Sequence, residues 1–217
     1  MKHFKSILAV ALVFCMLFTS SSGFAYGAKS ENFEKQSISL EEVADSLRKE
    51  GASEEVVKRL TDKLKRGEVW DSMNPKYNDL QPQIQTDTYS KTTYPDGSMI
   101  VYRIQEIQPK TQTRSIHNIK QYKVQLNGFR LTMSFCIDAR RDPSKNLAII
   151  DSQYNKEVRV FAGSFTEDTY GFIKGWKNHT NAWYAIYYTA PGVMGSKRFW
   201  CKAHVSGSRI WQEASTL

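Results

Sequence analysis

Three cysteines, four histidines and six prolines are all that 217 residues contain of those types, and the chemistry that depends on them is correspondingly thin. Beyond residue 27 the histidines are His117, His179 and His204, and no two stand at i, i+2 or i, i+4, the spacings at which one strand or helix clips a metal. They read as surface or turn residues, and no metal and no cofactor is expected. A Gly-x-Ser-x-Gly elbow, a glycine-rich phosphate loop and a motif marking a cysteine as nucleophile are all missing. No catalytic residue is therefore assigned. Asp71, Asp96, Asp138, Asp142, Asp151 and Asp168 supply carboxylates of the kind a glycoside hydrolase pairs, but they are scattered along the chain. Long apolar runs are also lacking: the longest, Ile7 to Phe18, holds about a dozen residues against the roughly 20 that cross a bilayer as a helix.

That short run has a meaning of its own. Met1-Lys2-His3-Phe4-Lys5 precedes it with positive charge, and Ser20 to Ala28 follows it with small and polar residues. The three parts in that order make a secretory signal, removed after Ala25 or Gly27. Phe14 before Cys15 argues against lipid attachment, where a small residue is required. A secreted protein, extracellular or associated with the cell envelope, is the expectation, with no transmembrane segment in the mature chain. Loss of residues 1–27 takes Lys2 and Lys5 and leaves 28 basic against 22 acidic side chains, of which 12 and 7 fall in residues 128–217. Spread so thinly, the excess does not suit nucleic acid, and outside a cell it points to an anionic cell-wall polymer or carbohydrate.

Cys136 and Cys201 remain after processing. An oxidising compartment permits them to pair. Alternation argues the other way, since Cys136 falls off the apolar face of Leu131 to Ile137 whereas Cys201 falls on that of Phe199 to Val205. A disulfide and two separate core thiols both stay open.

Residues 28–37 form a polar leader. Residues 38–67 predict a helical hairpin: Ser39-Leu40-Glu41-Glu42 is a capping box ahead of Leu40, Val43, Ala44 and Leu47, Gly51 ends the first helix, and Ser53 opens a second that Gly67 ends. Residues 68–83 connect, with Trp70 and Tyr77 packing the helices onto the sheet. From 84 to 217 short β-branched and aromatic runs alternate with turns: 86–93, 98–107, 119–126, 129–139, 147–151, 158–162, 170–176, 182–190, 198–205 and 209–211. Tyr94-Pro95-Asp96-Gly97-Ser98 is the sharpest hairpin signal. With no helix among these runs, parallel crossovers have nothing to build on. The fold class is mainly β: an antiparallel β-sandwich preceded by a short α-helical hairpin.

Three stretches add a resemblance. They are Lys63-Leu64-Lys65-Arg66-Gly67-Glu68-Val69-Trp70-Asp71-Ser72-Met73-Asn74-Pro75, Thr92-Thr93-Tyr94-Pro95-Asp96-Gly97-Ser98, and Thr132-Met133-Ser134-Phe135 with Ala185-Ile186-Tyr187-Tyr188. The chain resembles in these a little-characterised family of small secreted proteins of Gram-positive bacteria, labelled a domain of unknown function. The resemblance implies a helical lead-in and a β-sandwich, with no catalytic residue to carry over.

Aromatics are the most informative feature. Asn181 to Tyr188 has amphipathic residues on both faces, Tyr184, Ile186 and Tyr188 on one and Trp183, Ala185 and Tyr187 on the other. Such a strand lies between two layers or holds one face out for stacking. Trp183, Trp200, Lys197, Arg198 and Lys202 form the candidate binding face, with Trp176 extending it. The expected function is an exported, non-enzymatic binding module of the cell envelope. The alternatives are an extracellular enzyme acting on wall polysaccharide, and a bacteriocin-like effector, for which no basic amphipathic segment of inserting length is found.

Overall fold

The computed structural model describes residues 36–107, 119–192 and 195–216, so the export signal, its cleavage site, Cys15, most of the leader and His117 lie outside the described residues. Two α-helices, α1 (Leu40–Lys49) and α2 (Glu54–Lys65), follow a two-residue strand and precede the other strands among the described residues. Ser39 Oγ accepts from the Glu42 amide while the Glu42 carboxylate accepts from the Ser39 amide, at 3.1 and 2.8 Å. Both orphan donors are thereby satisfied. Ser53 caps α2 with its hydroxyl alone, which accepts from the Val56 amide, and Gly51 and Gly67 end the two helices with positive φ. No helix among the described residues is long and apolar enough to cross a membrane.

Among the described residues eleven strands form two sheets. The first runs β1 (Gln36–Ser37), β7 (Leu147–Val160), β6 (Leu131–Asp142), β5 (Lys120–Asn127), β4 (Met99–Ile107), β3 (Tyr89–Thr93) and β2 (Ile84–Gln85) from edge to edge. The second runs β11 (Ile210–Thr216), β10 (Lys197–Ser206), β9 (His179–Thr189) and β8 (Ser164–Phe172). Every pairing is antiparallel except that of β1 with β7. Gln36 and Ser37 were expected within the leader, yet their backbone adds a parallel strand to the sheet. This strand precedes the helix pair, so the chain between it and β7 contains α1 and α2, and the lack of helices among the later runs does not bear on its direction.

Cross-strand partners share a face. Tyr102, Leu126 and Met133 therefore lie together, as do Ile104, Val124 and Phe135. This face meets the second sheet's inner residues, Tyr184, Ile186, Phe199 and Ala203 among them, in one buried cluster. Tyr102 Oη crosses the interface to donate to the Lys202 carbonyl, 3.0 Å away. On the opposite face of β4, Met99 and Val101 are buried and Arg103 reaches Glu50 at the end of α1. The helix pair covers that side, so the architecture has three layers. Trp70 is wholly buried and donates its indole N–H to the Leu60 carbonyl at 3.0 Å, and Asp96 in the hairpin turn binds Lys63 and the Asp71 amide.

The sequence-predicted strands at 147–151 and 158–162 are a single strand, β7, carried through Ser152 to Glu157 by pairing with β6. β8 begins at Ser164 rather than Tyr170. Cys136 and Cys201 are both buried and free. Cys136 pairs across to Lys123 on the outward face of the first sheet, while Cys201 points into the core from the second. The open disulfide is thus resolved against pairing, by opposite facing. Burial pushes both thiols above the ordinary range, Cys201 the further.

Candidate functional site

Alternation along β9 and β10 decides which side chains leave the core. On β9 Thr180, Ala182, Tyr184, Ile186 and Tyr188 turn inward and are buried. The intervening Asn181, Trp183, Ala185 and Tyr187 look outward. On β10 Phe199, Cys201, Ala203 and Val205 are inward, leaving Arg198, Trp200, Lys202 and His204 outward. Pairing sets Trp200 against Ala185 and Lys202 against Trp183, with Glu213 of β11 beside Lys202.

A shallow depression of ≈ 450 Å³ opens here, within the usual size range of ligand pockets. Trp183, Ala185 and Trp200 form its floor, and Thr169, Asn181, Arg198, Lys202 and Glu213 its rim. Small residues beside each indole make it concave. Ala185 leaves room next to Trp200, and Gly171, opposite Trp183, lets that ring lie across β8, where a β-carbon at 171 would approach within 3.0 Å of the indole. Trp183 Nε1 donates to Thr169 Oγ1 at 2.8 Å, which fixes the ring's tilt. A bulge between Glu167 and Thr169 puts an extra residue, Asp168, into β8. Its carboxylate accepts from Arg198 Nε at 2.7 Å.

Both cations of the rim are thus held by carboxylates. Lys202 Nζ lies 3.2 Å from Glu213 Oε2 and 5.1 Å from the centroid of Trp200. The same Glu213 oxygen is 2.7 Å from His204 Nε2, whose Nδ1 lies 2.6 Å from His179 Nε2. Trp211 lies near-parallel to both imidazoles, with centroids 5.0 Å from His179 and 5.1 Å from His204. Burial lowers the His204 pKa and outweighs the Glu213 carboxylate, which pulls it up. Burial pushes Glu213 upward, but its bonds to His204 and Lys202 prevail and hold it below the usual carboxylate range.

Of the candidate binding residues, Trp183, Trp200, Arg198 and Lys202 come together on this face. Lys197 does not. It lies on the inward side of β10, 7% exposed, with Nζ 2.7 Å from Asn78 Oδ1. Alternation forbids it from sharing a face with Arg198. Trp176 also stands elsewhere, near Arg140 of β6. Of the histidines read as surface or turn residues, His179 is exposed and His204 is buried within β10, and the β9–β10 hairpin, which sets His179 against Ser206 and Asn181 against His204, brings the two rings into contact. A motif search within single strands misses this, whereas the hairpin register reveals it. Among the described residues no cluster of histidine, cysteine or carboxylate suits a metal ion.

Comparison with protein families and with curated proteins finds no match. Among solved structures the chain is similar to a hypothetical protein from Listeria monocytogenes, 16% identical, over 59% of this chain and 93% of that one, with a TM-score of 0.33. A likeness so slight bears on neither fold nor function.

Proposed function

We propose that the chain is an exported, non-enzymatic binding protein of the cell envelope, and that the outward face of its four-stranded sheet receives carbohydrate. The observation that carries this is the pair of indoles, Trp183 and Trp200, on the floor of an open depression whose rim is hydrogen-bonding. Sugar rings have an apolar face that stacks on an aromatic and a girdle of hydroxyls that seek amides, hydroxyls and carboxylates. Asn181, Thr169 and Glu213 supply these. Export rests on the basic start, short apolar run and small residues of 1–28.

Charge favours neutral sugar over an anionic wall polymer at neutral pH. Arg198 and Lys202 are matched by Asp168 and Glu213, and Lys197 is withdrawn into the core. Protein recovered from culture medium, starting near Tyr26 or Ala28 by intact mass, is the material for the test. It should co-sediment with insoluble wall polysaccharide, and Trp200→Ala should abolish most of that capture, since loss of one stacking ring costs about 1–3 kcal/mol. A Trp200→Ala protein that folds and sediments like its parent refutes the groove.

A further inference from the structure

The hydrogen bonds beside the groove form one line that ends on a groove cation. Ionised Glu213 accepts only, so His204 Nε2 carries a hydrogen, His204 Nδ1 is an acceptor and His179 Nε2 donates to it. One neutral tautomer of each ring satisfies the whole line. An added proton is accommodated too: shared by the two imidazoles, it turns the His204–Glu213 bond into an ion pair. A second is not, because two donors would then face each other across 2.6 Å.

The first proton already reaches Lys202. Imidazolium and ammonium would address the same atom, Glu213 Oε2, from 2.7 and 3.2 Å, and like charges repel. His204 is the less exposed, at 10% of its side chain against 28% for Lys202, and holds the shorter bond. Lys202 is the partner that yields, and its ammonium lies over Trp200. The charged groups around the pair are few among the described residues. His204 faces His179 from β9, Glu213 and Trp211 from β11, and Lys202 from its own strand. Arg209 stacks on Trp211 at 4.5 Å and pairs with Asp87 at 3.7 Å.

We propose that the His179–His204 pair is an acid-operated switch on the groove: its protonation draws Glu213 away from Lys202 and leaves the ammonium free to bind a sugar carboxylate. This rests on the groove being a carbohydrate site. It adds that the preferred sugar changes with pH, from neutral to acidic. Linkage makes the effect reciprocal, so that an acidic sugar bound at Lys202 takes up a proton at the histidines.

Calorimetric titrations at pH 8 and pH 5.5 with two probes, trigalacturonic acid and neutral tri-N-acetylglucosamine, test it. The uronic carboxyls stay ionised at both values. The acidic trimer should bind roughly five- to tenfold tighter at the lower pH, the neutral one about equally at both. His204→Gln keeps a donor toward Glu213 but does not titrate, and His179→Gln alters an exposed residue. Each should flatten the pH dependence for the acidic trimer and leave the neutral trimer's affinity at the parental level. If the neutral trimer binds but the acidic one fails to tighten, or tightens equally in both variants, the switch is wrong and the groove stands. If neither trimer binds at either pH, the groove reading falls and the switch with it. An NMR titration of the ligand-free protein gives an independent readout, since Lys202→Met should move the His204 midpoint upward. An unmoved midpoint also overturns the proposal.

Discussion

The Lys197 ammonium is buried beside neutral partners, Asn78 Oδ1 and the Ser72 carbonyl, and no carboxylate among the described residues pairs with it. Burial brings its pKa down to about 8 from an ordinary 10.5. The folded-state value lies below the unfolded one, so between pH 8 and 10.5 the unfolded chain binds more protons and stability rises with pH. Below pH 8 the cost of burying the charge is present in full. Lys197→Met keeps the stem's volume and removes the charge, while the exposed Asn78 turns to water. The variant should be more stable at pH 7 by about 1–3 kcal/mol, with the advantage shrinking as pH approaches 10.5. Urea melts at pH 7 and pH 10 measure it, and a variant less stable than its parent at pH 7 shows that the Asn78 bond outweighs the charge. The parity that puts Lys197 among Phe199 and Cys201 was legible in the sequence, and placing it with Arg198 and Trp200 gave charge more weight than alternation. The histidine pair was not legible, because contact between positions 25 apart exists only once the hairpin register is known.

At the scale of elements, local signals with a fixed spacing were the readable ones. The capping box at Ser39, the glycines after each helix and the Pro95-Asp96-Gly97 turn each appear where the residues require them. β7 and β8 were misread for a common reason. Their polar stretches, Ser152 to Glu157 and Ser164 to Thr169, have sides open to solvent, and strand order there comes from backbone pairing with β6 and β9 rather than from a hydrophobic period. α1 shows how a local device is drawn into the whole. Glu42, the box carboxylate, also accepts from Arg159 of β7 at 2.6 Å, and Arg159 first, then the Ser39 amide, brings its pKa down to about 2. Ser39→Ala leaves the Glu42 amide unpaired and should cost about 1 kcal/mol. Thermal melting checks this, and an unchanged midpoint with α1 still formed would mean that the serine hydroxyl contributes nothing.

At the scale of the molecule, the helix pair is not an appendage to a sandwich. Val43, Leu47, Val57, Leu60 and Trp70 belong to the same buried cluster as the strand residues Met99, Val101 and Leu131. Ion pairs and hydrogen bonds tie the layers at several points: Glu50 to Arg103, Lys63 to Asp96, and Arg59 to the Asp96 carbonyl. A sandwich stripped of its helices would expose Met99 and Val101, each only 2% exposed now, on an open sheet face. The helices alone, at 10 and 12 residues, are too short to persist in water without that sheet. The helices have no core of their own and the first sheet relies on them to cover Met99 and Val101, so all three layers should melt together. Helical circular dichroism reports α1 and α2, and the fluorescence of wholly buried Trp70, with the other four tryptophans replaced by phenylalanine, reports the junction between α2 and the sheets. A third probe, near-ultraviolet dichroism of the tyrosines Tyr102, Tyr184 and Tyr188, reports the core between the sheets. The three curves should share one midpoint in urea, and the calorimetric and van't Hoff enthalpies should agree. If the helical signal is lost first while the tyrosine signal holds, the layers are energetically separable. The four-stranded sheet would then carry its groove on a sandwich that stands without the helices.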